Sequence, residues 1–156
     1  MKFGCPLIVV SDLEVSKKFY QEVLSQKVAM DLGANVSFGE GPSIFAIQGD
    51  YAGLIDTEGV KITFGGNDHE LYFEEEDFEG FLKHLGQQSD ISYLHREKEY
   101  PWGQRVVRFY DPDRHVIEVG ESMGSVFKRF HAQGMSIEAV AERTSHPVEF
   151  VRSILA

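Results

Sequence analysis

The residues of this chain best suited to catalysis or binding are two glutamates and an arginine on short extended segments. Glu118 lies between two β-branched residues, so the side-chain alternation of a strand buries its carboxylate. A buried carboxylate is costly unless it is paired, protonated or bound to a metal. Arg108 lies on a strand face from which its guanidinium would reach Glu118 or Glu70. Carboxylates in such positions can move a proton, and the guanidinium can stabilise or anchor a negative charge. The predicted catalytic residues are therefore Glu118, Glu70 and Arg108.

The position of each of these residues can also be explained without a catalytic or binding role. Glu118 is a surface residue if its strand faces the other way, and Glu70 begins its strand, where side chains are often solvated. Arg108 can be an exposed strand arginine. The sequence leaves both interpretations open.

Aromatic residues close to these strands indicate a binding pocket. Trp102 and Tyr72, together with Tyr100 and Phe38, could wall an apolar cavity. The predicted substrate-binding residues are Trp102, Tyr72, Arg108 and Gln104. The alternative is that the aromatic side chains are ordinary parts of the core.

The elements that would position these residues occur twice along the chain. Residues 5–20 and 70–85 share one pattern, in which a short extended segment ends at an Asp that begins an amphipathic helix. In each copy the first residue of the segment, Cys5 or Glu70, lies seven positions before that Asp. Further extended segments follow in both copies. We therefore predict two similar modules, an α+β fold, and a pocket between the two halves.

Hydrophobic spacing and turn residues give approximate element bounds. The first copy is predicted as strand 7–10, a helix from Asp12 to about 25, and strands 28–30, 36–38 and 43–47; the second as strand 70–74, helix 77–85, and strands 91–94, 105–110 and 116–119. Ser11 and Glu14 have the spacing of a capping box at the first helix. Residues 39–42 and 111–114 are predicted hairpin turns, and residues 51–66 a glycine-rich linker that can include a short helical turn.

The chain divides into three predicted parts: residues 1–66 (first module and linker), 67–123 (second module) and 124–156 (a helical appendage). The last part has the spacing of helices and turn that is typical of a helix-turn-helix. Its second helix offers Glu149 and Arg152 rather than the basic and amide side chains that read DNA, which favours packing or a dimer contact.

Composition limits the classes of partner. The formal net charge is -10, and residues 1–123 hold 22 acidic against 11 basic side chains, whereas residues 124–156 hold three against four. Such a body repels phosphate backbones and anionic membranes, so neither nucleic acid nor a membrane is expected as a partner. One cysteine excludes an internal disulfide and fits a reducing compartment. With no signal-peptide or membrane-span pattern, a cytoplasmic location is expected.

Two stretches carry a family resemblance: the segment from Val10 to Tyr20, and the segment from Trp102 to Glu118. Over about residues 4–123 the chain resembles the vicinal oxygen chelate superfamily, which includes glyoxalase I, bleomycin- and fosfomycin-resistance proteins and extradiol dioxygenases. The resemblance implies two paired βαβββ modules that form a cup-shaped sheet, with a divalent metal on the floor of the cup. The family usually has Gly where Arg114 stands, so a positive φ at that position would cost about 1 kcal/mol.

The resemblance also implies positions for metal ligands. They fall on Cys5, Ala46, Glu70 and Glu118, and alanine offers no donor atom. A set of Cys5, Glu70 and Glu118 could hold zinc, with water completing the shell; Ni, Mn and Fe are the other metals considered. Without a metal, Glu118 is the better candidate for the base and Arg108 would supply the positive charge in place of the metal. In that case no cofactor is expected, and Cys5 would be an inert small hydrophobe.

The leading functional prediction is a glyoxalase- or dioxygenase-type protein that binds and transforms a small organic molecule in the cup. One alternative is a non-catalytic protein that sequesters a small molecule, such as a drug. A third is a regulator that uses the helix-turn-helix-like tail. A homodimer is expected in each case.

Overall fold

The computed structural model of the chain describes residues 1–41, 43–54 and 61–156. The last residue of the predicted turn 39–42 and the centre of the predicted linker lie outside these ranges. The chain forms two compact units. The first comprises residues 1–69 together with 111–115, and the second comprises residues 70–110 and 116–156. The predicted division into three domains stays a prediction.

The first unit contains one βαβββ module. Its elements are β1 (Leu7–Val9), α1 (Leu13–Glu22), β2 (Val28–Asp31), β3 (Asn35–Glu40) and β4 (Ser43–Gln48), followed by the short helix α2 (Tyr51–Leu54). The strands form a sheet in the order β1-β4-β3-β2, in which β1 is parallel to β4 and the other pairs are antiparallel. The helical turn expected in the linker is therefore present as α2.

Helix α1 begins at Asp12, whose side chain accepts a hydrogen bond from the backbone N–H of Val15 at 3.0 Å. The capping box predicted for Ser11 and Glu14 is wrong, because the Ser11 hydroxyl donates to Asp113 at 2.5 Å. The buried face of the helix includes Tyr20, which is fully buried.

A polar network around the 111–115 turn belongs to the core of the first unit. The Asp111 carboxylate accepts hydrogen bonds from the Tyr20 hydroxyl at 2.9 Å and from the backbone N–H groups of Asp113 and His115. His115 Nδ1 also lies 2.8 Å from Asp111 Oδ2. Burial lowers the pKa of His115, but its hydrogen bond with Asp111 more than offsets this, and the pKa is raised. In the same turn Arg114 has φ +67°, a left-handed conformation that is strained for a residue with a side chain.

Phe38 is also part of this core. It is fully buried and its ring stacks on that of Phe45, with 5.2 Å between the ring centroids. The predicted role of Phe38 as a cavity wall is therefore wrong, and the alternative, a core aromatic residue, is right.

The second unit contains the other βαβββ module and the C-terminal helices. Its elements are β5 (Glu70–Glu75), α3 (Phe78–Gly86), β6 (Ser92–Glu99), β7 (Arg105–Tyr110), β8 (Val116–Glu121), α4 (Met123–Ala132), α5 (Ile137–Thr144) and α6 (Val148–Leu155). The strand order β5-β8-β7-β6 repeats that of the first sheet, again with one parallel pair, β5 and β8.

The register of the strands confirms the duplication read from the sequence. In the first sheet Leu7 pairs with Ala46, and in the second Tyr72 pairs with Glu118. Leu7 and Tyr72 occupy the same position in the two copies of the repeat, as do Ala46 and Glu118. The predicted α+β fold with two βαβββ modules is therefore confirmed.

Helices α4, α5 and α6 pack around a hydrophobic cluster of their own. Its buried members are Val126, Phe127, Phe130, Val140, Ala141 and Val151. Arg152 on α6 pairs with Glu149 and Glu138, so its charge is already engaged within the helices. In the parts of the chain that the structure describes, no helix has the length and apolarity needed to cross a bilayer.

Candidate functional site

One row of side chains crosses the second sheet on a single face. The register pairs Tyr72 on β5 with Glu118 on β8, Glu118 with Arg108 on β7, and Arg108 with His95 on β6. Directly paired residues of neighbouring strands point to the same side of a sheet. We call these four residues the polar row.

Arg108 is the centre of the polar row. Its Nε donates to Glu70 Oε2 at 2.9 Å, and Nη2 reaches Glu70 Oε1 at 3.4 Å. Nη2 also forms an ion pair with Glu118 Oε2. Nη1 donates to the Tyr100 hydroxyl at 2.5 Å and to His95 Nε2 at 3.2 Å. The guanidinium therefore makes four hydrogen bonds to side chains and, in addition, the ion pair with Glu118.

The neighbours of Arg108 stabilise its protonated, positively charged form. Burial lowers its pKa, but the hydrogen bonds with Glu70 and Tyr100 outweigh that effect, so the pKa is raised further above its ordinary value. His95 accepts from the guanidinium through Nε2, because an arginine can only donate. Its Nδ1 then carries the proton and donates to the Arg96 carbonyl oxygen at 2.7 Å.

Glu118 is 7% exposed, as strand alternation predicts for its carboxylate. The ion pair with Arg108 supplies the partner that such a buried charge requires. Glu70 is more accessible, with two-fifths of its side chain exposed. The predicted meeting of these three side chains is therefore observed, whereas their predicted catalytic roles stay predictions.

The loop that joins β6 to β7 places aromatic rings beside the polar row. The rings of Tyr100 and Trp102 are parallel, with centroids 4.7 Å apart. Gln104 Oε1 accepts from the Trp102 indole N–H at 3.2 Å, and Gln104 Nε2 donates to the Tyr72 hydroxyl at 2.9 Å. Tyr72 is 47% exposed and Trp102 is 40% exposed, so both rings are open to a ligand. We call residues 100–104 the rim loop.

Gly120 makes room for this arrangement. A Cβ at that position would lie 2.9 Å from Gln104 Nε2 and 3.1 Å from the ring of Tyr72. Any larger residue would therefore push Gln104 and Tyr72 out of place.

The corresponding row of the first sheet has none of this chemistry. By the same register it consists of Leu7, Ala46, Ser37 and Met30. None of these side chains ionises. Although the fold is duplicated, the two rows differ in chemistry, and the candidate site described above lies in the second module.

The metal implied by the family resemblance does not fit these residues. Both Glu70 and Glu118 are paired with Arg108, and Ala46 supplies no donor. Cys5 is a free, partly buried thiol in the first unit. Across the described part of the chain, no three His, Cys, Asp or Glu side chains are grouped so that they could hold one ion. A divalent cation would have to displace a guanidinium from two carboxylates.

Sequence reasoning missed one member of the polar row. His95 falls just outside the predicted strand 91–94, but β6 continues to Glu99. The residues from Arg96 to Glu99 are all charged and show no apolar alternation, so the hydrophobic pattern gave no signal that the strand continues.

Two βαβββ modules with a polar site on a strand face define a protein of the vicinal oxygen chelate class. The sequence matches the model of the Glyoxalase-like domain family over residues 3–124, and the chain belongs to this family. Comparison with curated proteins gave no significant match.

Solved structures support this assignment. A protein of unknown function from Agrobacterium tumefaciens str. C58 is 35% identical, with 78% of this chain and 94% of that chain covered and a TM-score of 0.67. A glyoxalase-related enzyme from Fulvimarina pelagi is 18% identical, with 78% and 88% covered and a TM-score of 0.64. The fosfomycin resistance protein FosX from Mesorhizobium loti is 16% identical, with 78% and 92% covered and a TM-score of 0.55. The last two share the fold alone.

Proposed function

We propose that this protein binds a small organic molecule on the polar-row face of the second sheet, without a divalent metal. The observation that carries the proposal is that Arg108 is engaged by four side chains of the same unit. Because its N–H groups are directed to Glu70, Glu118, His95 and Tyr100, the guanidinium acts as a fixed internal cation. Its positive charge takes the place of the divalent metal that the family resemblance implies.

The groups left for a ligand are aromatic faces and carboxylate oxygens. Trp102 and Tyr72 expose their rings, and Glu70 exposes its carboxylate. Aromatic faces favour flat or apolar groups and cations, and carboxylates accept from hydroxyl or amine donors. We therefore propose a neutral or cationic ligand with a flat body as the preferred chemistry, with Gln104 holding the aromatic rings in place.

Fluorescence of Trp102 tests this proposal directly, since it is the only tryptophan of the chain. Titration with bleomycin, a cationic aromatic probe, should change its emission saturably, and fosfomycin, a small anion, should not. The same titration with Glu70→Gln should show weaker binding of bleomycin. A saturable response to fosfomycin alone would contradict the proposed ligand chemistry.

A second candidate function is catalysis at the same face. It is favoured by the position of Glu70, whose partly exposed carboxylate lies beside the positive charge of Arg108. There Glu70 could accept a proton while Arg108 stabilises the anion that forms; the buried Glu118 would be a poorer base because it is less accessible. If a bound compound is converted, Glu70→Gln should abolish turnover with a smaller effect on binding. Loss of both to the same degree would argue for binding alone.

The homodimer expected from the sequence stays a proposal. Sedimentation velocity at micromolar concentration tests it, and a single species of about 17.6 kDa would contradict it.

A further inference from the structure

The C-terminal helices lie beyond the matched family domain, which ends at residue 124. They nevertheless belong to the same compact unit as the polar row. We propose that helix α4 positions the rim loop, with Arg129 as the positioning residue for the ligand-binding face. This inference rests on the proposed function for its ligand, but its structural core does not depend on it.

Arg129 joins α4 to the rim loop by a direct hydrogen bond. Its Nη2 donates to the carbonyl oxygen of Gly103 at 2.6 Å. The same guanidinium is fixed in orientation by Glu121, through Nε at 3.1 Å and Nη2 at 2.9 Å. Glu121 is buried at the end of β8, so the arginine is clamped to the sheet and to the loop at once.

Phe130, the next residue of α4, packs its ring against the rim loop at Gly103. Gly103 has φ +87°, and a Cβ at this position would lie 2.4 Å from the Phe130 ring. The loop backbone therefore lies directly against a side chain of the C-terminal hydrophobic cluster. This close approach requires glycine at position 103.

Hydrogen bonds and ring stacking connect Gly103 to the side chains that face the ligand. Within the loop, the N–H of Gly103 donates to the Tyr100 carbonyl oxygen at 2.8 Å, and the N–H of Tyr100 donates to the Gln104 carbonyl oxygen at 2.9 Å. Tyr100 in turn stacks on Trp102 and accepts from Arg108. Movement of the Gly103 carbonyl would thus displace the exposed Trp102 ring.

Collisional quenching of Trp102 by acrylamide tests the inference without any ligand. In full-length Arg129→Gln the loop should loosen, and because Trp102 is already 40% exposed the quenching constant should rise by about twofold at most. Arg129→Lys should recover only part of the protection, because an ammonium cannot bind Glu121 and Gly103 in the same forked geometry. Arg152→Gln is the matched control, since the ion-pair partners of Arg152 among the described residues, Glu138 and Glu149, belong to α5 and α6. It should leave quenching unchanged.

Hydrogen exchange separates positioning from general loss of structure. In Arg129→Gln the amide of Gly103 should exchange roughly tenfold faster, while the amides of α5 and α6 keep their wild-type protection. Unchanged quenching and exchange at the rim loop would overturn the inference, and so would equal loosening of the loop and the helices. If the first variant does not fold, Arg129→Lys supplies the same comparison.

The bleomycin titration links the loop to binding. Arg129→Gln should raise the Kd by about fivefold or more, and Arg152→Gln should not change it. If the wild-type protein does not bind bleomycin, the proposed ligand chemistry fails, while the quenching and exchange results still decide the role of Arg129.

Discussion

Arg108 and Glu118 are paired positions on β7 and β8, and their side chains form a largely buried ion pair on the polar-row face of the second sheet. The equivalent pair in the first sheet is Ser37 and Ala46. The same fold therefore places a charged pair in one module and two small side chains in the other.

Arg108→Met should destabilise the protein by about 3 kcal/mol, because it leaves the buried carboxylate of Glu118 without a cation. In the double variant Arg108→Met/Glu118→Gln much of this loss should be recovered, since the uncompensated charge is removed. Urea unfolding of the two single variants and the double variant measures the coupling. Additive effects of the single changes would show that the ion pair contributes no coupling energy.

Divalent metals should not stabilise the protein. Because Glu70 and Glu118 are both held by Arg108, titration with Zn²⁺, Mn²⁺ or Ni²⁺ should give no saturable rise in Tm, and dialysis against EDTA should not lower it. Differential scanning calorimetry provides the measurement. A one-to-one stabilisation that disappears in Glu118→Gln would restore the metal site implied by the resemblance.

Gly103→Ala should be more destabilising than Gly134→Ala. Both glycines have positive φ, so each substitution incurs a backbone cost of about 1 kcal/mol. A Cβ at 103 would in addition collide with Phe130, which should cost about 1–3 kcal/mol more, whereas a Cβ at 134 meets nothing within 4 Å. Chemical denaturation compares the two variants. Equal losses would mean that the rim loop can move away from Phe130 freely.

Stability should fall as the pH rises through the pKa of His115. The folded-state pKa is raised above the ordinary value of 6.5, so protonation stabilises the folded protein below that value. This contribution is lost as the pH rises through the raised pKa. Urea unfolding between pH 5.5 and 8.5, about one unit or more to either side of the ordinary value, should show a flatter profile for His115→Gln.

The neighbours of His115 determine the control for this experiment. Asp111 and Asp113 favour its protonated form, and the ring of His69 lies 5.7 Å away, centroid to centroid. Both proteins should therefore also be compared in a His69→Asn background. A difference between the profiles that vanishes there would assign the pH dependence to His69 instead.

The sequence by itself determined the repeated fold. Capping aspartates, alternating strands and the constant spacing from Cys5 to Asp12 and from Glu70 to Asp77 are local signals, and local signals fix element type and order. The same alternation predicted that Glu118 is buried, and it placed Arg108 on a strand face from which it could reach Glu118 or Glu70. Local spacing did not decide the cap of the first helix, because Ser11 bonds instead to Asp113, 102 residues away.

The tertiary structure alone decided how the site is completed. Strand register brings His95 beside Arg108, and helix packing brings Arg129 and Phe130 against Gly103; neither contact follows from local spacing. The same is true of the contacts that the Arg108 guanidinium makes with neighbouring side chains. A sequence shows that a guanidinium can reach a carboxylate. Only the folded chain shows which side chains surround it, because they come from several strands that meet at one point.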